Sequence, residues 1–150
     1  MQYPSGIHLM EVFGLLRYMR DLFPPKMPLP ICECMLLQAI SETEGGGQKG
    51  RRVSELGAQI HMAMPAASRI LGSFEQKGLI VRRIDEGDRR AVYIRLTPEG
   101  EQKLEEIRRF VYAHLDGIAQ QFGEENICAL EKLLRQLLGL IPGHTGKEKG

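Results

Sequence analysis

The chain has 150 residues, 43% of them hydrophobic and 26% charged, with a formal net charge of +1. That balance suits one globular domain with no need of metal or disulfide staples. No stretch approaches the roughly 20 apolar residues of a membrane span, the start lacks signal-peptide character, and the three cysteines form no scaffold-like pairs, so a cytoplasmic protein with reduced thiols is expected.

Leu9, Val12, Phe13, Leu16, Met19 and Phe23 recur at helical spacing, interrupted only by Arg20, which predicts an amphipathic helix over 6–23. Pro24, Pro25, Pro28 and Pro30 end it. A largely apolar second helix is expected over 31–42 (Ile31, Met35, Leu36, Ala39, Ile40), followed by a glycine-rich flexible connection over 44–50. Val53, Leu56 and Ile60 mark a short third helix, with Ser54 and Glu55 in its first turn. His61, of a residue type that tolerates positive φ, stands in the turn that follows. Pro65 suits the first position of a fourth helix, which directs Ala67, Ile70, Leu71 and Phe74 inward and is closed by Gly78.

Residues 79–84 and 91–96 are rich in β-branched side chains and predict two strands around the polar turn 85–90, a hairpin with a charged tip. Thr97, Pro98 and Glu99 are an N-cap, an N1 proline and a first-turn acid, and they open a long helix reaching about residue 122. Leu104, Ile107, Val111, Leu115 and Ile118 form its stripe. A last helix over 124–140 carries Ile127, Leu130, Leu133, Leu134, Leu137 and Leu138, and the tail 143–150 has nothing to bury and is expected to be disordered.

Two short helices, a turn and a two-stranded hairpin describe a winged helix-turn-helix. The fold class expected is therefore mainly α with a small β-hairpin wing. Charge distribution supports a phosphate-facing role: residues 49–95 hold ten Lys/Arg against five Asp/Glu, whereas the rest of the chain holds ten against fourteen. The second helix of such a pair fits the major groove, and the hairpin tip reaches the backbone or the minor groove. Arg89 and Arg90 stand at that tip, Lys77 at the end of the helix, and Arg82, Arg83 and Arg95 on strands where some must point away from DNA.

The stretch Val53-Ser54-Glu55-Leu56, then Ser68-Arg69-Ile70-Leu71, Phe74-Glu75-Gln76-Lys77-Gly78-Leu79-Ile80 and Asp88-Arg89-Arg90 through Leu96-Thr97-Pro98-Glu99-Gly100, resembles the MarR-type regulators. The last segment is similar to that family's wing signature, D-R-R-x-x-x-x-x-L-T-x-x-G. The resemblance covers about residues 6–140. It implies a homodimer in which 6–23 and 98–141 supply dimerisation helices and 31–97 the winged module, all within one domain over 1–142. It further implies a ligand-responsive repressor on a pseudo-palindromic duplex, with a small-molecule effector of unspecified identity held among the first, second and fifth helices.

By position, the resemblance makes 65–77 the recognition helix, with Pro65, Ala66, Ser68 and Arg69 facing DNA and Arg89 in the minor groove. Asp88 would orient an arginine rather than meet phosphate. Arg69 could instead pair with Glu75 or Asp88. The recognition helix departs from the family pattern, because neither Ala63 nor Met64 caps with a side-chain oxygen and few groups can bond a base edge. Specificity would then fall to Ser68, Arg69 and shape-sensitive contacts by Arg89. A winged-helix module for protein interaction, with specific DNA reading lost, is the alternative.

Cys32, Cys34 and Cys128 are expected as buried thiols, with no nearby basic pair to activate them. The four histidines are scattered, and only Glu33, Cys34 and His114 could converge on a metal; no cofactor is expected. No nucleophile–base set, phosphate loop or metal spacing marks an enzyme.

Overall fold

A computed structural model describes residues 4–42 and 50–142. The expected disordered tail lies outside these residues, as does the expected flexible connection apart from Gly50. Helix α1 (Pro4–Leu16) continues into a 3-10 turn at Arg17–Leu22, so the predicted single helix tightens before the prolines arrive. Helix α2 (Ile31–Ser41), strand β1 (Arg51–Arg52), helix α3 (Val53–Gln59) and helix α4 (Met64–Gln76) follow. Strands β2 (Ile80–Ile84) and β3 (Val92–Leu96) form the wing.

The long helix is unbroken along the chain but changes type. Helix α5 (Pro98–Ile107) passes through a π turn at Arg108–Tyr112 into helix α6 (Ala113–Phe122), and helix α7 (Glu124–Gly139) completes the described chain. The architecture is mainly helical with a small antiparallel sheet, as expected, but the sheet has three strands in the order β1-β3-β2 rather than two. Arg51 pairs with Ile94 and Arg52 with Tyr93, which anchors the start of α3 to the inner strand of the wing.

One core binds the elements from α2 to the π turn. Leu36, Leu37 and Ile40 of α2 meet Leu56, Leu71 and Phe74 of the two short helices, Ile80 and Ile94 of the sheet, and Leu104, Ile107 and Val111 of the long helix, all buried in one cluster. Met35, expected on the apolar side of α2, is exposed instead; the helix turns Cys34, Leu36 and Leu37 inward. Each fully buried large side chain contributes about 1.5–3 kcal/mol of hydrophobic stabilisation. The core therefore fixes α4 and the wing as parts of one body.

The junction of α4 with the wing is built from backbone hydrogen bonds. Gly78 takes φ +70°, the Leu79 N–H donates to the Phe74 carbonyl (2.9 Å), and the Gly78 N–H donates to that of Glu75 (3.0 Å), a Schellman closure. Thr97 clasps the same point from the far end of β3. Its hydroxyl donates to the Gly78 carbonyl (2.5 Å) and accepts from the Gly100 N–H (3.0 Å), capping α5 while holding the end of α4. Thr97→Ala should cost about 1–2 kcal/mol in urea unfolding. Thr97→Ser should recover most of that loss.

Candidate nucleic-acid interface

Helix α4 begins at Met64, one residue before the predicted start, which puts Pro65 in the second helical position and leaves Ala63 as an N-cap with no side-chain hydrogen bond. Ala67, Leu71 and Phe74 face the core at helical spacing. Pro65, Ser68 and Arg69 consequently share the outward face and are exposed, while Ala66 is half-buried. Lys77 is the C-cap and is also exposed. His61 takes φ 53° in the turn that delivers α4, the left-handed conformation the sequence left open to it.

The wing tip is ordered by Asp88. Its carboxylate accepts from the Arg90 N–H (3.0 Å), and its carbonyl accepts from the Ala91 N–H (2.9 Å). The other carboxylate oxygen lies 3.6 Å from the Arg52 guanidinium. Asp88 thus orients an arginine, and that arginine comes from β1. Arg89 and Arg90 are exposed at the tip.

The strand arginines divide by the pleat. Arg82 lies opposite Ile94 on the face of Ile80, and its Nε is 3.0 Å from the Glu75 carboxylate of α4. Arg83 lies opposite Tyr93, and Arg95 opposite Val81, on the other face, both exposed. Glu75 and Asp88 therefore engage Arg82 and Arg52, not Arg69. A cleft lined by Arg52, Ser54, Met64, Arg82, Asp88 and Arg90 joins the base of the wing to the start of α4. Arg90 is thus brought beside the start of α4, whereas Lys77 stands at its opposite end. Nothing in the sequence around Arg52 marks it as part of the wing; only strand pairing turns it there.

The thiols differ from expectation. Cys34 is buried, but Cys32 and Cys128 are exposed, because α2 turns Cys32 outward and α7 buries none of its residues. Burial pushes the Cys34 thiol up, the Glu33 carboxylate adds to the rise, and a contact from its Sγ to the Leu29 carbonyl (3.4 Å) opposes it. Cys34 is therefore held as the weakly reactive thiol. His114 meets the Leu22 carbonyl at 3.1 Å, and no group of three or more His, Cys, Asp or Glu suited to a metal occurs among the described residues. No helix among them is long and apolar enough to cross a membrane.

Fold and exposed basic face together define a winged helix-turn-helix. Residues 34–92 match the model of the MarR family. The chain is 37% identical over 83 residues to the HTH-type transcriptional regulator FarR of Neisseria gonorrhoeae, covering 55% of this chain and 57% of that protein. It spans about half the length of the curated relatives it matches. Its fold is similar to that of the transcriptional repressor CouR bound to a 23-mer DNA duplex (TM-score 0.65, 23% identity, 91% of this chain and 99% of that one). It is also similar to NadR in complex with 4-hydroxyphenylacetate (TM-score 0.61, 26% identity, 91% and 93%).

Proposed function

We propose that this protein is a DNA-binding transcriptional regulator, a ligand-responsive repressor that acts as a homodimer on a pseudo-palindromic duplex. The observation that carries this reading is the alignment of Pro65, Ser68 and Arg69 on the open face of α4, with Arg89 and Arg90 exposed at the wing of the same rigid module. In this reading Ser68 and Arg69 meet base edges or phosphates, Ala66 touches a thymine methyl, Arg89 enters the minor groove, and Arg90 and Lys77 hold the backbone. Arg52, fixed by Asp88, adds a further phosphate contact.

Residues 31–97 form the reading module, and 6–23 with 98–141 the dimerisation part. The effector site is assigned to the cleft where the chain turns from the 3-10 segment into α2, lined by Arg20, Asp21, Phe23, Met27 and Ile31; the fifth helix, expected to share such a pocket, contributes nothing to its lining. The DNA duplexes and small molecules seen with relatives of this fold support both parts of the reading.

Fluorescence anisotropy with the promoter of the protein's own operon tests it. Binding should weaken steeply with salt, and Arg89→Ala should cost about tenfold to a hundredfold in affinity. Salt-insensitive binding, or an unchanged Arg89→Ala variant, would rule the mechanism out.

One feature favours a second reading. The open face of α4 offers proline and alanine where base-bonding groups would serve, as a winged helix devoted to protein contacts would. Selection from random duplexes separates the two: recovery of a tight palindromic site excludes the protein-interaction module.

A further inference from the structure

The last turn of α2 sits between the winged module and the long helix, and a single run of side-chain hydrogen bonds crosses it. Arg108, the first residue of the π turn, donates through Nε to the Gln38 carbonyl oxygen (3.3 Å) and through Nη2 to the Ser41 hydroxyl (3.2 Å). The Gln38 amide nitrogen donates to one oxygen of Glu42 (2.9 Å). The Gln59 amide nitrogen, from α3, donates to the other (2.8 Å). Arg51 of β1 donates to the Gln59 carbonyl oxygen.

The run therefore has a defined polarity, from an arginine at each end, through a glutamine on each side, to one carboxylate at the centre. Guanidinium groups only donate and a carboxylate only accepts, so each glutamine has one orientation that satisfies both neighbours. The run is solvent-exposed, and turning either amide sets a donor against a donor within it. The far end lies where the helix takes up an extra residue, a departure from α geometry that recurs at functional positions. Tyr112, the last residue of that turn, packs against the core; burial, with Cys34 and Glu42 nearby, pushes its phenol up.

We propose that Glu42 is a positioning residue for DNA binding: with Gln38 and Gln59 it locks the β1–α3 edge of the winged module to the long helix at the π turn, and so sets the angle at which the module meets DNA. The proposal rests on the DNA-binding reading above. Glu42 touches no part of the basic face, and its effect passes through Arg51 and Gln59 at one end and Arg108 at the other. A contiguous network of this kind transmits a change only if both ends respond to it.

Glu42→Gln tests it with almost no change in size. The new amide presents a donor where two donors converge, so one glutamine must turn and set its own donor against an arginine. Hydrogen exchange of the full-length variant should quicken together in 51–59 and 108–112 while α4 keeps its protection. Duplex affinity by anisotropy should fall about three- to tenfold with an unchanged salt slope, since no phosphate contact is lost. The sign is diagnostic, because removing a negative charge by itself strengthens DNA binding. Arg108→Met, which breaks the run from the other end, should reproduce both effects.

Unchanged exchange in 51–59 for both variants, or affinity equal to or above the parent's, overturns the proposal. A parent chain that binds no duplex, while the paired exchange response is seen, overturns the DNA reading and the positioning role with it. A parent that binds duplex while only one end responds overturns the relay alone.

Discussion

Replacing Gly100 by alanine is expected to cost about 2–4 kcal/mol of folding stability, a large effect for one methyl group. A Cβ built on Gly100 would lie 2.0 Å from the Leu79 carbonyl oxygen and 3.0 Å from its carbon. That carbonyl cannot retreat freely, because it accepts the Thr97 N–H at 3.0 Å, beside the closure of α4. The collision is with backbone, so relief requires the start of α5 to move away from the end of α4. Gly72, in the middle of α4, is the internal control: a Cβ there meets nothing within 4 Å. Gly72→Ala should stabilise by about 0.5–1 kcal/mol through lower unfolded-state entropy and better helix propensity. Urea midpoints for the two variants should move in opposite directions, and equal shifts would refute the clash.

Leu133→Glu should convert the proposed dimer to a monomer and lower affinity for a palindromic duplex by about a hundredfold or more, because the two half-sites then bind independently. The basis is an imbalance visible in the single chain. Leu133 is 62% exposed on α7, and Met10 and Phe13 are 70% and 51% exposed on α1, although both helices carry regular apolar stripes. Neither α1 nor α7 buries a large side chain within the chain itself. Sedimentation velocity and an unfolding curve on the same sample check the result: the variant should sediment as a monomer and keep its secondary structure. A monomeric parent would remove the basis for the homodimer, and a variant that remains dimeric would place the interface elsewhere than at Leu133.

Much of this architecture was legible because periodic burial and local punctuation agreed. Ala67, Leu71 and Phe74 with Gly78 located α4, and Thr97-Pro98-Glu99 located the start of α5; in both places the cap chemistry and the apolar stripe point the same way. Strand β1 was not legible. Two arginines in succession carry no alternation, and they become a strand only because the backbone of β3 offers Ile94 and Tyr93 as partners. The π turn left no trace either, since an unbroken apolar stripe from Leu104 to Leu115 is compatible with either helix type.

Among the proposed contact residues, exposure of Pro65, Ser68 and Arg69 followed from the periodicity of α4. Which arginine Asp88 would hold did not. Arg52 lies far from it in sequence and reaches it only across the three-stranded sheet. The thiols show the opposite failure, because Cys32 and Cys128 were expected inside on residue type, whereas helix direction decides which of Cys32 and Cys34 is covered.

The clasp at Gly78, Thr97 and Gly100 has a mechanical consequence. It joins α4 and the base of the wing to the first turn of a rod that runs from Pro98 to Phe122, about 37 Å long at the usual helical rise. The rod acts as a lever with its near end fixed to the body that carries α4 and the wing. A tilt of about 5° there displaces the far end by about 3 Å, roughly half a helical pitch. A displacement of α6 at the far end is therefore met by rotation of that body, by bending at the π turn or by breaking the clasp.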